Sequence, residues 1–167
     1  PTLFDTSQFT YSLNLRCYYE SGRLHAIERY VEAFSGLRDN PEDLVLGFIV
    51  GVPPGEPACE GGGDEIGACL DLPGMAEVVR PDGELLEYVC KYPAACTPPD
   101  PPYPGDCIAE AFPARRFVQL AQAFGKNSVV QSICTDTFVP AISALTDKLR
   151  ASINAGTYRR ELELVRD

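Results

Sequence analysis

The sequence predicts an α/β domain, part of a mostly parallel sheet covered by helices, interrupted by a long insertion. Three observations predict it. Amphipathic helical stretches alternate with short, almost wholly apolar runs. Those runs are too short for free helices and carry no polar alternation, which suits strands buried between helix layers. The third observation is a stretch over residues 52–112 that holds five of the seven cysteines and most of the prolines. So long a segment without helical pattern fits a compact domain only if stapled, and disulfides supply the staple.

Taken in order, residues 1–20 lack a period and read as an irregular lead-in. Helical spacing begins at Leu24 and continues through Ile27, Val31 and Phe34, with Ser21 placed to cap the start and Gly36 to give a left-handed exit. Asp39-Asn40-Pro41 marks a turn. The run Leu44–Val50 reads as a strand buried on both faces, in which Gly47 lets a helix approach closely. Within the insertion, Val78–Arg80 and Leu85–Val89 flank Pro81-Asp82-Gly83 as a hairpin. Pro113 opens a helix with Phe117, Leu120, Ala121 and Phe124 as its buried stripe, ended by Gly125. Ser128–Ile133 is a second strand. Thr135-Asp136-Thr137 caps a last helix whose Phe138, Ile142, Leu145 and Leu149 repeat at helical spacing. The domain is expected over residues 1–155, with 156–167 a tail or the start of a following segment.

Composition narrows the function. The 167 residues are 45% hydrophobic and 23% charged, which supports one packed domain. Twenty-four acidic against 14 basic side chains give a formal charge of −10, which disfavours nucleic acid and anionic membrane surfaces as partners. No apolar run is long enough to span a bilayer. The cysteines are Cys17, Cys59, Cys69, Cys90, Cys96, Cys107 and Cys134. No two neighbours have the close spacing of a zinc knuckle or a Cys-x-x-Cys redox pair, so disulfides, and with them an extracytoplasmic location, are the better reading. Seven is odd, and two strands are too few for an open sheet. Both facts lead to the expectation that the chain is a piece of something longer.

Candidate chemistry is sparse. His25 is the single histidine; it sits on a helix, and no Gly-x-Ser-x-Gly elbow exists to partner it. The acids Glu56, Glu60, Asp64, Glu65 and Asp71 do not follow the order of an EF-hand, and a solvated loop accounts for them. The run Pro98–Pro104 reads as a stiff spacer. Asp5-Thr6-Ser7-Gln8-Phe9 begins like Asp-x-Ser-x-Ser but has Phe9 in place of the second serine, with no buried strand before it. No catalytic and no metal-binding residue is assigned.

Leu15-Arg16-Cys17-Tyr18, Arg23–Val31 and the strand ending Phe48-Ile49-Val50-Gly51-Val52-Pro53-Pro54 resemble the later half of a von Willebrand factor type A (vWA) domain, most closely the secreted bacterial lipoprotein kind. Pro113–Val118, Phe124-Gly125, Ser132-Ile133-Cys134 and Phe138-x-Pro140-Ala141 are similar to that group's last strand and flanking helices. The likeness covers about residues 10–152. It implies a doubly wound, mostly parallel sheet with helices on both faces (a vWA/Rossmann-like fold) and a non-enzymatic protein-binding or adhesion function at the cell surface, in the periplasm or in secreted form, with a lipid anchor expected, if any, upstream. A Mg2+ ion would be held in the full-length domain by Asp-x-Ser-x-Ser and later threonine and aspartate residues, all ahead of Pro1, so no cofactor is expected in this chain. The resemblance also implies the pairs Cys107–Cys134, Cys59–Cys69 and Cys90–Cys96, leaving Cys17 unpaired. A structural cell-envelope protein without a working metal site is the alternative, and a secreted hydrolase a third.

Overall fold

A computed structural model describes residues 9–93 and 108–154. Four helices, α1 (Arg16–Tyr19), α2 (Ile27–Ser35), α3 (Arg115–Phe124) and α4 (Val139–Asn154), accompany four strands, β1 (Leu46–Val50), β2 (Cys90–Pro93), β3 (Ile108–Ala111) and β4 (Ser128–Ser132). β1 and β4 pair in parallel, from Leu46 opposite Ser128 to Val50 opposite Ser132. β2 and β3 form a separate antiparallel pair. The protein is thus mixed α/β, with a small parallel sheet, helices against it and two disulfides. Among the described residues, no helix is long and apolar enough to cross a membrane.

Side-chain alternation puts the two large helices on opposite faces of the parallel pair. Phe48 meets Phe117 of α3, with ring centroids 6.0 Å apart. Its neighbour Gly47 faces α4, where a Cβ would lie 2.9 Å from a methyl of Leu145. The glycine therefore serves the close helix approach expected of it. β1 is not buried on both faces, however. Leu46, Phe48 and Val50 are half-buried while Gly47 and Ile49 are exposed, because among the described residues only β4 lies beside the strand.

The insertion is not peripheral. The core joins Val118 and Ala121 of α3 and Val130 of β4 to Val52, Cys59, Ile66, Cys69 and Met75, all five from residues 52–112. Leu70, Leu72 and Val89 pack against that cluster. A 3-10 turn over Asp64–Asp71 carries much of this apolar surface. The arm is tied down by Arg115, whose Nη1 donates to the carbonyls of Leu70 (2.8 Å) and Met75 (2.9 Å). Gly61 exchanges backbone hydrogen bonds with Val130 as an isolated antiparallel bridge, covering the edge of β4 away from β1. A Cβ on Gly62 would run into the Ser128 carbonyl oxygen, so only glycine lets the loop lie there. The hairpin at Pro81-Asp82-Gly83 forms as expected: Gly83 adopts φ +72° and donates to the Arg80 carbonyl at 2.9 Å, and Val79 bridges Leu86.

Several local expectations are corrected. α2 starts at Ile27, not Leu24, because a 3-10 turn over Ser21–Arg23 leaves Leu24 extended, and Ala26 precedes the helix without a side-chain cap. Gly36 ends it in right-handed geometry, φ −74°. On α3, Val118 is buried and Phe117 is 52% exposed, since the helix turns Val118 into the core and Phe117 towards Phe48 at its margin. Gly125 closes α3 at φ +47°, as its position suggested. On α4, Ala141 is buried and Leu145 half-buried, whereas Phe138, Ile142 and Leu149 are exposed. The apolar arc of α4 is wider than the sheet beneath it.

Candidate functional site

In open α/β sheets ligands gather outside the carboxyl ends of the strands, here at Val50–Val52 and Ser132–Cys134. That rim is closed by the chain's own hydrogen bonds. The Ser132 hydroxyl donates to the Val52 carbonyl at 2.7 Å and accepts from the Cys134 amide at 3.2 Å. Glu60 Oε1 lies 3.4 Å from the Ser132 amide. The Ile133 amide donates to Val50 and the Ala114 amide to Gly51, both at 2.9 Å. Beyond it, Thr135 Oγ1 donates to the Thr137 carbonyl at 3.0 Å, and Thr137 Oγ1 accepts the Val139 amide at the head of α4. Among the described residues, the hydroxyls at this rim hold backbone groups.

One disulfide is a pair that the resemblance implies, and the other is not. Cys59 joins Cys69, with Cα atoms 4.7 Å apart. Cys90 joins Cys134, with Cα atoms 6.1 Å apart, which excludes both Cys107–Cys134 and Cys90–Cys96. The reason is spatial: β2 starts beside the segment that leaves β4, so the insertion is clasped to the end of the sheet. Cys96 and Cys107 lie outside the described residues, as do Asp5–Gln8, Pro98–Pro104 and the tail 156–167. Cys17 is unpaired and exposed.

A second cluster sits on the insertion. Tyr88 is stacked on Phe112, with centroids 5.1 Å apart at 23°. Arg80 Nη1 donates to its hydroxyl at 3.3 Å. The Lys91 ammonium stands 4.6 Å from the ring centre and 3.4 Å from Glu110. The Tyr88 hydroxyl donates to the Glu110 carboxylate, and this hydrogen bond, helped by Lys91 and opposed by partial desolvation, holds the Glu110 carboxyl below its ordinary range. The same bond, with partial desolvation, raises the Tyr88 phenol. Chemically this is a tethering cluster: its members hold one another, and Arg80 also pairs with Asp82 at 3.0 Å.

The remaining candidates fall apart in space. His25 is exposed and its ring lies against the Arg29 guanidinium, Nε2 at 2.7 Å, while its carbonyl accepts from Arg116. Glu56, Glu65 and Asp71 are exposed, and no three acidic, histidine or cysteine side chains among the described residues gather to hold a metal. Sequence reasoning passed over Arg115, Ser128 and Ser132. The only signal for the serines was two hydroxyls inside an apolar strand, where a buried polar group must find a partner. Ser128 finds the Ala121 and Gly125 carbonyls, at 2.7 and 2.9 Å.

Between α2 and α3 runs a trough of about 610 Å³ lined by Ile27, Glu28, Val31, Glu32, Gln119, Gln122 and Ala123. Neither a protein-family model, nor a curated protein, nor a solved structure matches this chain.

Proposed function

We propose that this chain is part of a vWA-like, non-enzymatic protein-binding domain that works outside the cytoplasm. The observation that carries the reading is the second edge of β1. The Val50 carbonyl accepts from Ile133 on the β4 side, so by strand alternation Gly47 and Ile49 turn their backbone groups away from β4. No described residue pairs with them. On the face of the sheet that Gly47 turns to Leu145, α4 leaves Val139, Ile142, Leu149 and Ile153 exposed. A parallel sheet continuing past β1 would use the backbone groups and cover the stripe together. The two disulfides favour an oxidising compartment.

In this reading a Mg2+ ion, held upstream, offers an open coordination position to a partner's carboxylate, and the present chain is the scaffold beneath it. The test is the coding region ahead of Pro1. An apolar strand ending in Asp-x-Ser-x-Ser is the expected result. A continuation without such a strand removes the reading.

A further inference from the structure

We infer that the trough between α2 and α3 receives an extended, cationic segment of a protein partner, with two basic side chains spaced i and i+2. The inference rests on the protein-binding part of the proposed function and is independent of its cation.

The two helices that border the trough touch at both ends. At the amino ends of the helices Arg116 donates to the His25 carbonyl; at their carboxyl ends Phe34 and Phe124 meet edge to face, centroids 6.4 Å apart. α2 and α3 therefore run side by side in the same direction. Nine residues of α2 give a length of roughly 13 Å at about 1.5 Å per residue, enough for about four residues of extended peptide.

Its chemistry is asymmetric. Ile27 and Val31 are half-buried, whereas Glu28 and Glu32 are exposed. Neither carboxylate takes part in an ion pair among the described residues. The two stand one helical turn apart, about 6 Å along the axis. Side chains i and i+2 of an extended peptide are spaced by about 6.6 Å and point the same way, so Arg-x-Arg or Lys-x-Lys matches the pair. The aliphatic stems of such residues suit an apolar floor under a charged rim, and Gln119 and Gln122 line the α3 side. A chain of net charge −10 also draws a basic partner in by long-range attraction.

The test uses the chain as given and three fluorescent peptides of equal charge, carrying Arg-Arg, Arg-x-Arg or Arg-x-x-Arg in a Gly/Ser background. Anisotropy at low ionic strength should rank Arg-x-Arg tightest, with binding weakened by added salt and unchanged by EDTA. Glu28→Gln/Glu32→Gln should weaken Arg-x-Arg about tenfold, as two exposed ion pairs would. Glu84→Gln/Glu87→Gln, which removes the same charge from an exposed site elsewhere, should leave it within about twofold. Circular dichroism verifies that both variants are folded. Equal losses in the two variants, no preference for the i, i+2 spacing, or no binding at all overturns the inference. Binding lost on EDTA also overturns it, and points to the cation instead. The upstream sequence decides the proposed function separately.

Discussion

Tyr88, just ahead of β2, and Glu110, in β3, tie the two arms of the insertion together, through a side-chain hydrogen bond whose pH dependence has a fixed sign. Glu110 is held below the usual carboxylate range, first by the Tyr88 hydroxyl and then by Lys91. Its contribution is present above the unfolded carboxyl pKa and disappears as pH falls through the depressed folded value. Tyr88 is shifted upward, so its contribution is full below the ordinary phenol pKa and disappears as pH rises through the raised one. Tyr88→Phe should therefore lower the melting temperature near neutrality. The gap to the natural protein should close at both extremes, below the carboxylate range and above the phenol range. A gap that stays constant with pH would contradict the cluster. Nothing in the sequence marked these residues, because Tyr88 and Glu110 are 22 positions apart and meet only when β2 pairs with β3.

At the scale of elements, what periodicity could reach, it reached. The strand at Leu46–Val50, the strand at Ser128–Ser132, the helix ended by Gly125 and the turn at Gly83 were all legible, since each is set by local pattern or by one residue's backbone freedom. Which face each helix buries was less so. Phe117 and Val118 are neighbours of similar apolarity, and which of them the helix turns into the core is set by tertiary packing that periodicity does not show. The insertion was misjudged for a different reason. Its apolar residues follow no period because a 3-10 turn and bends present them, yet they form most of the core. The disulfide partners are likewise a long-range property. Closing 44 residues, Cys90–Cys134 should contribute about 4 kcal/mol on chain entropy, against about 3 kcal/mol for the ten-residue Cys59–Cys69 loop. Cys90→Ser/Cys134→Ser should show that larger loss in denaturant titrations. A smaller loss than for Cys59→Ser/Cys69→Ser would mean that the clasp stores strain or that the unfolded chain retains structure.

For the whole molecule, the decisive asymmetry is between the two sides of the parallel pair. β4 is shielded by Gly61 on its outer edge, a glycine-lined approach that no other residue at position 62 would permit. β1 has no such guard among the described residues, and its Leu-Gly-Phe-Ile-Val run carries no charge or proline to discourage other strands. Ile49→Lys places a charge on an exposed position beside that edge. It should suppress concentration-dependent self-association in light scattering while shifting stability by no more than about 0.5 kcal/mol. Unchanged association would move the sticky surface elsewhere, to the α4 stripe. The parallel pairing itself has a kinetic side. Leu46 must wait for Ser128, 82 residues further along, so the ribosome delivers the first strand long before its mate. Such high contact order slows folding and prolongs the interval in which bare edges are vulnerable, and a holdase that meets the emerging chain is the kind of helper this topology would benefit from most.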